Sequence, residues 1–166
     1  MLVTIGGVIP DIDGLGAIPQ FLTRNMEKPM TFFSDYHHII SHNIGAFFVV
    51  VILAVSIANN RIKTGLLVLF TFHLHLLCDI IGARGPDGYQ WPIPYLLPFS
   101  SEWQLTWSHQ WDLNAWPNFL ITIIAIAITF MLAWKRGYSI LELVYSRADA
   151  TFVGALRRRF PGMDAS

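Results

Sequence analysis

The chain is predicted to be an all-α integral membrane protein, a helical bundle with about three spanning helices and a long loop rich in tryptophan and proline. Three observations predict this. Of 166 residues, 54% are hydrophobic and only 13% are charged, whereas a soluble domain carries about 25% charged residues. Three apolar stretches, residues 44–58, 66–81 and 119–134, come close to the roughly 17–25 residues that a spanning helix needs. The first and third hold no charge in their interior, which suits lipid better than a half-wet surface. The polar turn Asn59-Asn-Arg-Ile-Lys-Thr64 joins the first two stretches, and so short a connection makes them antiparallel neighbours.

The N-terminus lacks the basic n-region of a cleavable signal, and its apolar run stops at Pro10. The next residues read "PDIDGLG" and place Asp11 and Asp13 one residue apart ahead of two glycines. Taken alone, such a stretch is most often a solvated turn or a helix cap. It also resembles the Asp-x-Asp-Gly signature of haloacid-dehalogenase-type phosphatases. That family needs a central strand here and an alternating α/β sheet, and Pro10 and the apolar helices that follow exclude both. No Gly-x-Ser-x-Gly elbow or phosphate-binding P-loop is present.

The first apolar stretch is entered through "DYHHIISHN", with His37, His38 and His42. The second carries "FHLHLLCD", with His73, His75 and Asp79, toward its exit. A proline-, glycine- and tryptophan-rich loop over residues 82–116 follows and contains His109 and Asp112. Trp103, Trp107 and Trp111 recur every fourth residue, the spacing of one helical face, and read as an interfacial aromatic belt rather than a base-stacking surface. After the third stretch come Lys135 and Arg136 and a capping-box pattern, Ser139-Ile-Leu-Glu142, that should open an amphipathic helix. The tail ends in Arg157-Arg158-Arg159 before Pro161-Gly162. The chain thus reads as one domain, with a core over residues 8–134 and a basic amphipathic tail over 135–166.

Formal charges cancel, so net charge implies no nucleic acid or other polyanion as partner. Cys78 is the only cysteine, which rules out an intrachain disulfide and a thiolate zinc cluster. Arg61 and Lys63 lie in the first turn, and Lys135, Arg136, Arg147 and the arginine run follow the third stretch. If all three stretches cross, the positive-inside rule makes the turn and tail cytoplasmic and turns the N-terminal region and long loop outward. Nearly every histidine and the paired aspartates then gather at the non-cytoplasmic end. Ionisable residues at membrane depth are costly and mark function.

His75 and Asp79 are four apart, so on a helix they share a face and can close on one ion. His38 and His42 are also four apart; His37 and His42 are five apart. Spacing alone leaves His37 and His38 as alternatives. A lone histidine in an apolar helix is more often hydrogen-bonded packing, the expected state of His73. His109 is expected at the surface or behind the site. Imidazoles with carboxylates suit zinc, with manganese or iron as alternatives. Three histidines and three aspartates exceed one tetrahedral shell, which points to more than one ion. Clustered metals can activate a water and clamp a phosphoryl oxygen.

Three stretches in order resemble a family. "IPDIDG", "HHIISHN", and "HLHLLCDIIGARG" followed by "WPIPYLLPFS" are similar to the elements of the YdjM-like membrane-bound metal-dependent hydrolases, described as LexA-binding and associated with the inner membrane. Over residues 8–100 the resemblance implies metal-holding roles for Asp11, Asp13, His37, His42, His75 and Asp79, with catalysis centred on Asp11 and Asp13. It favours His37 over His38, and it puts His38 where the family usually has arginine and Ser41 where threonine is common. His38, Ser41, His73 and His109 are then candidates for supporting the site or touching substrate. The family usually has a whole helix before the aspartate element; here nine residues precede Pro10. The family is distantly similar to zinc phospholipases C and single-strand-specific zinc nucleases.

The expected function is a multi-pass bacterial inner-membrane hydrolase. It would act through a metal-activated water on a phosphoester or related ester, in a small-molecule or lipid-like substrate near the membrane surface. One alternative is an electron carrier in which His42 and His75 sandwich a haem, although haem needs no carboxylate cluster. Another is a non-catalytic membrane component whose polar cluster serves ion passage or assembly.

Overall fold

The computed structural model describes residues 1–85 and 88–161. Pro86 and Asp87 of the long loop, and Gly162 of the expected Pro-Gly break, lie outside the described residues. Among the described residues all regular structure is helical: α1 (Leu2–Val8), a 3₁₀ segment (Ile9–Gly16), α2 (Ala17–Thr23), α3 (Phe32–Tyr36), α4 (Ile44–Ile57), α5 (Arg61–Gly82), α6 (Trp116–Arg136), a 3₁₀ turn (Ile140–Leu143) and α7 (Ser146–Arg159). The chain divides into two compact units, Met1–Leu113 and Asn114–Ser166.

Three helical segments are long and apolar enough to cross a membrane, but one of them is not a stretch the sequence singled out. They are Leu2–Thr23, Arg61–Gly82 and Trp116–Arg136. α4 has 14 residues, about 21 Å of helix against a hydrocarbon core of about 30 Å. The N-terminal segment, read from sequence as ending in a turn, is helical throughout. Pro10 does not end it because it sits at the start of the 3₁₀ segment, where a missing N–H breaks no intrahelical bond. The glycines beyond it disfavour the α-helix without stopping the chain from winding more tightly.

In the first unit α1 and α5 run parallel and in close contact. Gly6 faces Val68, and Gly7 faces Thr71 so closely that a Cβ on Gly7 would stand 3.2 Å from that of Thr71. Small residues at such positions let two helix backbones approach. The Thr71 hydroxyl then donates across the interface to the Val3 carbonyl at 3.2 Å. The same register carries Asp11 to His75. A core of Phe47, Phe72, Leu76 and Ile93 joins α4, α5 and the long loop.

The loop is a wall of the site rather than a free excursion. The amide of Ile44 donates to the Tyr95 carbonyl at 2.7 Å and that of Gly45 to the Leu97 carbonyl at 3.0 Å. These are first-turn donors of α4, which have no partner inside their own helix. Asn43 completes the junction. Its Oδ1 caps the Ala46 amide, and its Nδ2 donates back to the Ile39 and Ile40 carbonyls at 2.7 and 3.0 Å. Trp103, Trp107 and Trp111 share no helical face, because this part of the loop is not helical.

In the second unit, Ser139 caps only the short 3₁₀ turn; the amphipathic helix α7 opens later, at Ser146. The Ser139 amide and hydroxyl both donate to buried Asp149 of α7. Arg157 donates from Nε to the Trp134 carbonyl at 2.9 Å, satisfying a carbonyl that the end of α6 leaves open.

Two substitutions test the junction at α4. Asn43→Ala removes the cap and should cost about 0.5–2 kcal/mol. A Cβ at Gly45 would stand 2.7 Å from Pro98 Cδ and 3.2 Å from the Leu97 carbonyl. Gly45→Ala should therefore lower the melting temperature in detergent, although alanine is the better helix former.

Candidate metal centre

The 3₁₀ winding decides what the two aspartates do. With about three residues per turn, side chains two apart point to different sides. Asp11 is 55% exposed and turns toward α5, whereas the Asp13 side chain is fully buried and turns toward the 37–43 segment. His42, also fully buried, lies between them.

His42 faces carboxylates from both ring nitrogens. Its Nδ1 lies 3.4 Å from Asp13 Oδ2. Its Nε2 lies 3.3 Å from Asp79 Oδ2 and 3.9 Å from Asp11 Oδ1. His75 reaches the same two carboxylates from α5: its Nε2 is 3.4 Å from Asp11 Oδ1 and 3.2 Å from Asp79 Oδ2. The predicted one-turn pairing of His75 with Asp79 is present on α5. Thus Asp11, His42, His75 and Asp79 converge, from the 3₁₀ segment, the 37–43 segment and α5.

His42 Nε2, His75 Nε2 and Asp79 Oδ2 are buried atoms without a hydrogen-bond partner. Buried polar atoms are rarely left so. Their separations fit a cation. A tetrahedral zinc with bonds of about 2.0–2.1 Å spaces its ligand atoms by about 3.3–3.4 Å. The donor set, two imidazoles and two carboxylates, is one that zinc accepts. The residues therefore fit a divalent metal.

Asp13 and His37 take a different place from the one the family resemblance implied. Asp13 accepts from His37 Nδ1 at 2.9 Å, from the Ser41 amide at 3.4 Å and from His42 Nδ1. With its oxygens so engaged, it stands behind His42 and leaves Nε2 as the nitrogen turned to the cluster. Metal-holding histidines commonly donate their other N–H to a carboxylate in this way. His37 reaches the group through Asp13. Ser41 is buried and ties the segment to the aspartate element, its hydroxyl donating to the Pro10 carbonyl at 2.6 Å.

His38, not His37, is the neighbour that approaches the cluster: with His42 and Asp79 it can bring ligand atoms within 4.8 Å of one another. It adopts a left-handed backbone, φ +68, and its Nδ1 meets the carbonyl of Trp91, itself at φ +43. Such conformations are costly for residues with a Cβ. Burial, then the nearby His42 and His37, push the His38 pKa down to about 4, so it is neutral at physiological pH. Burial also disfavours charge on His42, but the hydrogen bond to Asp13 and the facing Asp79 carboxylate outweigh it and raise its pKa.

The other candidates lie apart. His73 accepts the Tyr95 hydroxyl at Nε2 (2.7 Å) while Nδ1 donates to the Leu69 carbonyl (2.8 Å), a fully used packing histidine. His109 is exposed and meets Ser108 and Trp107. Asp112 pairs with Arg84 at 2.7 Å. Sequence reasoning missed Gln110, which is buried and donates to the Asp79 carbonyl at 2.6 Å, and the cap Asn43, legible as an asparagine before an apolar run.

A helical protein with membrane-crossing segments and a buried His/Asp cluster between them is the class that fold and site define. The chain belongs to the YdjM inner membrane protein family, which it matches over residues 1–159. It is thus an inner-membrane protein by family and by its candidate spans. No curated protein and no solved structure matches the chain.

Two outcomes are expected of the centre. Asp13→Asn should weaken metal binding about 10–100-fold without abolishing it, as read by competition with a chromogenic chelator. Because the metal must displace a proton from His42, whose pKa is raised, binding should release protons. Apparent affinity should then rise with pH above the ordinary imidazole value of 6.5, as calorimetry in buffers of different ionisation enthalpy would record.

Proposed function

We propose that the protein is a membrane-bound, metal-dependent hydrolase of a phosphoester or related ester. The observation that carries this reading is the convergence of Asp11, His42, His75 and Asp79 with three of their buried polar atoms unpartnered. With Asp11 alongside and one position left for water, His42, His75 and Asp79 would hold the cation. Once bound, it supplies Lewis acidity and lowers the pKa of a water. Asp13, steadied by His37 and Ser41, fixes the tautomer and orientation of His42. Asp11 is the most exposed of the four, so the general-base role falls to it rather than to Asp13, whose oxygens are occupied.

One cation is favoured over the several that the residue count suggested. The groups Asp11–His42–His75 and His38–His42–Asp79 overlap in His42. With Nδ1 directed to Asp13, His42 has one nitrogen left to give. The cluster lies toward the C-terminal end of α5, away from Arg61 and Lys63 at its start. The positive-inside rule then supports a non-cytoplasmic site near the lipid headgroups, and with it a lipid-like substrate.

The haem alternative meets an obstacle. Asp79 Oδ2 lies within 3.3 Å of both His42 and His75, and Asp11 Oδ1 within 3.9 Å of both. Those carboxylates fill the gap a porphyrin would need.

Elemental analysis of detergent-purified protein should find about one divalent metal per chain, with hydrolysis in a panel of phosphomonoesters and phosphodiesters. His75→Ala should lose both, and Asp11→Asn should lose hydrolysis while keeping the metal. Wild type that takes up no zinc, manganese or iron would refute the reading. Metal binding without hydrolysis across the panel would favour the non-catalytic component.

A further inference from the structure

The cluster opens on one side. His42 is sealed, His75 and Asp79 are mostly covered, and Asp11 is exposed. Two apolar grooves border that opening. One, of about 430 Å³, runs between α1 and α5 and is lined by Val3, Gly7, Val8, Leu74, His75 and Cys78, among others. The other, of about 260 Å³, is lined by Val8, Ile12 and Leu15 beside Asp11 itself. Val8 is common to both. Along α5 the first groove extends from Thr71 to Cys78, about 10 Å of helix.

From these features, and resting on the hydrolase reading above, we propose that the α1–α5 groove receives the alkyl chain of a phosphoester lipid drawn from the bilayer, so that its ester lies at Asp11 and His75. The occupant follows from three facts. The groove lies on two segments apolar and long enough to cross a membrane, so its surroundings are acyl chains. Its wall includes His75, so it is continuous with the cluster. Neither groove is lined by a lysine or arginine, so a phosphate has no partner there short of the metal. A chain leaving the bilayer for this groove exchanges one apolar environment for another, so little free energy is gained or lost. What the groove supplies is orientation, which places the ester without a cationic headgroup pocket. The cavity of about 370 Å³ lined by Phe33, Asp35, His37 and Trp91 is less suited: it is separated from the cluster by the His37–Asp13–His42 chain and presents a carboxylate to an anion.

Cys78 makes the proposal testable without catalysis, being exposed, in the groove and the only cysteine. The full chain, zinc-loaded or metal-free, is held in a sterol-type detergent that has no alkyl chain, and its reaction with N-ethylmaleimide is timed. Dodecylphosphonate at about ten times its Kd should slow the reaction about tenfold, and ethylphosphonate should leave it unchanged. Leu74→Trp, which fills the groove without touching the cluster, should abolish the protection; Thr4→Trp serves the same end if that variant does not fold. No protection by dodecylphosphonate, equal protection by both phosphonates, or protection that survives both tryptophans overturns the proposal. Chain-dependent protection in protein that never takes up metal would leave the groove standing and sink the hydrolase reading. Metal uptake and hydrolysis without protection would do the reverse.

Discussion

His42 is the point on which the site depends. A fully buried imidazole can be oriented only by what it touches, and here both nitrogens meet carboxylates from different parts of the chain. Asp13 holds the back of the ring; Asp79 and Asp11 face its front. This bracket requires the aspartate element to present successive carboxylates to different sides. It also requires the 37–43 segment to pass between that element and α5. The 3₁₀ winding over Ile9–Gly16 meets the first demand. Ser41 on the Pro10 carbonyl and Asn43 at the head of α4 meet the second.

The surrounding fold serves that placement. Gly6 and Gly7 let α1 lie against α5 in parallel, which brings Asp11 opposite His75. Carbonyls of the long loop accept from the first amides of α4 and fix the segment that ends in His42. The polar cluster thereby lies against two segments of membrane-crossing length, Leu2–Thr23 and Arg61–Gly82, where unpaired charge is expensive. A divalent cation held there would relieve that cost by giving the buried nitrogens and carboxylate oxygens a common partner, and its binding energy would become part of the stability of the bundle.

Much of this was legible before any coordinates. Composition announced a membrane protein, and the one-turn spacing of His75 and Asp79 needed only a helix to become a contact. What misled was local punctuation. Pro10 reads as a stop, yet at the head of a 3₁₀ segment it breaks no hydrogen bond, so the N-terminal segment continues to crossing length while α4 falls short of it. Spacing could not choose between His37 and His38, because both lie where the chain is not regularly helical. The choice rests on backbone angles and on acceptors distant in sequence, the Trp91 carbonyl for His38 and Asp13 for His37. Asp11 and Asp13 looked equivalent on the page. Only the winding of the segment separates a carboxylate facing the cluster from one standing behind it.

The most direct measurement is the zinc coordination sphere by X-ray absorption spectroscopy, in wild type and in His37→Gln. The bracketed arrangement predicts two imidazoles, those of His42 and His75, with oxygen ligands completing the shell, and an unchanged imidazole count when His37 is replaced. A third imidazole that vanishes in His37→Gln would contradict it, since His37 would then be a ligand and Asp13 no longer the residue that stands between.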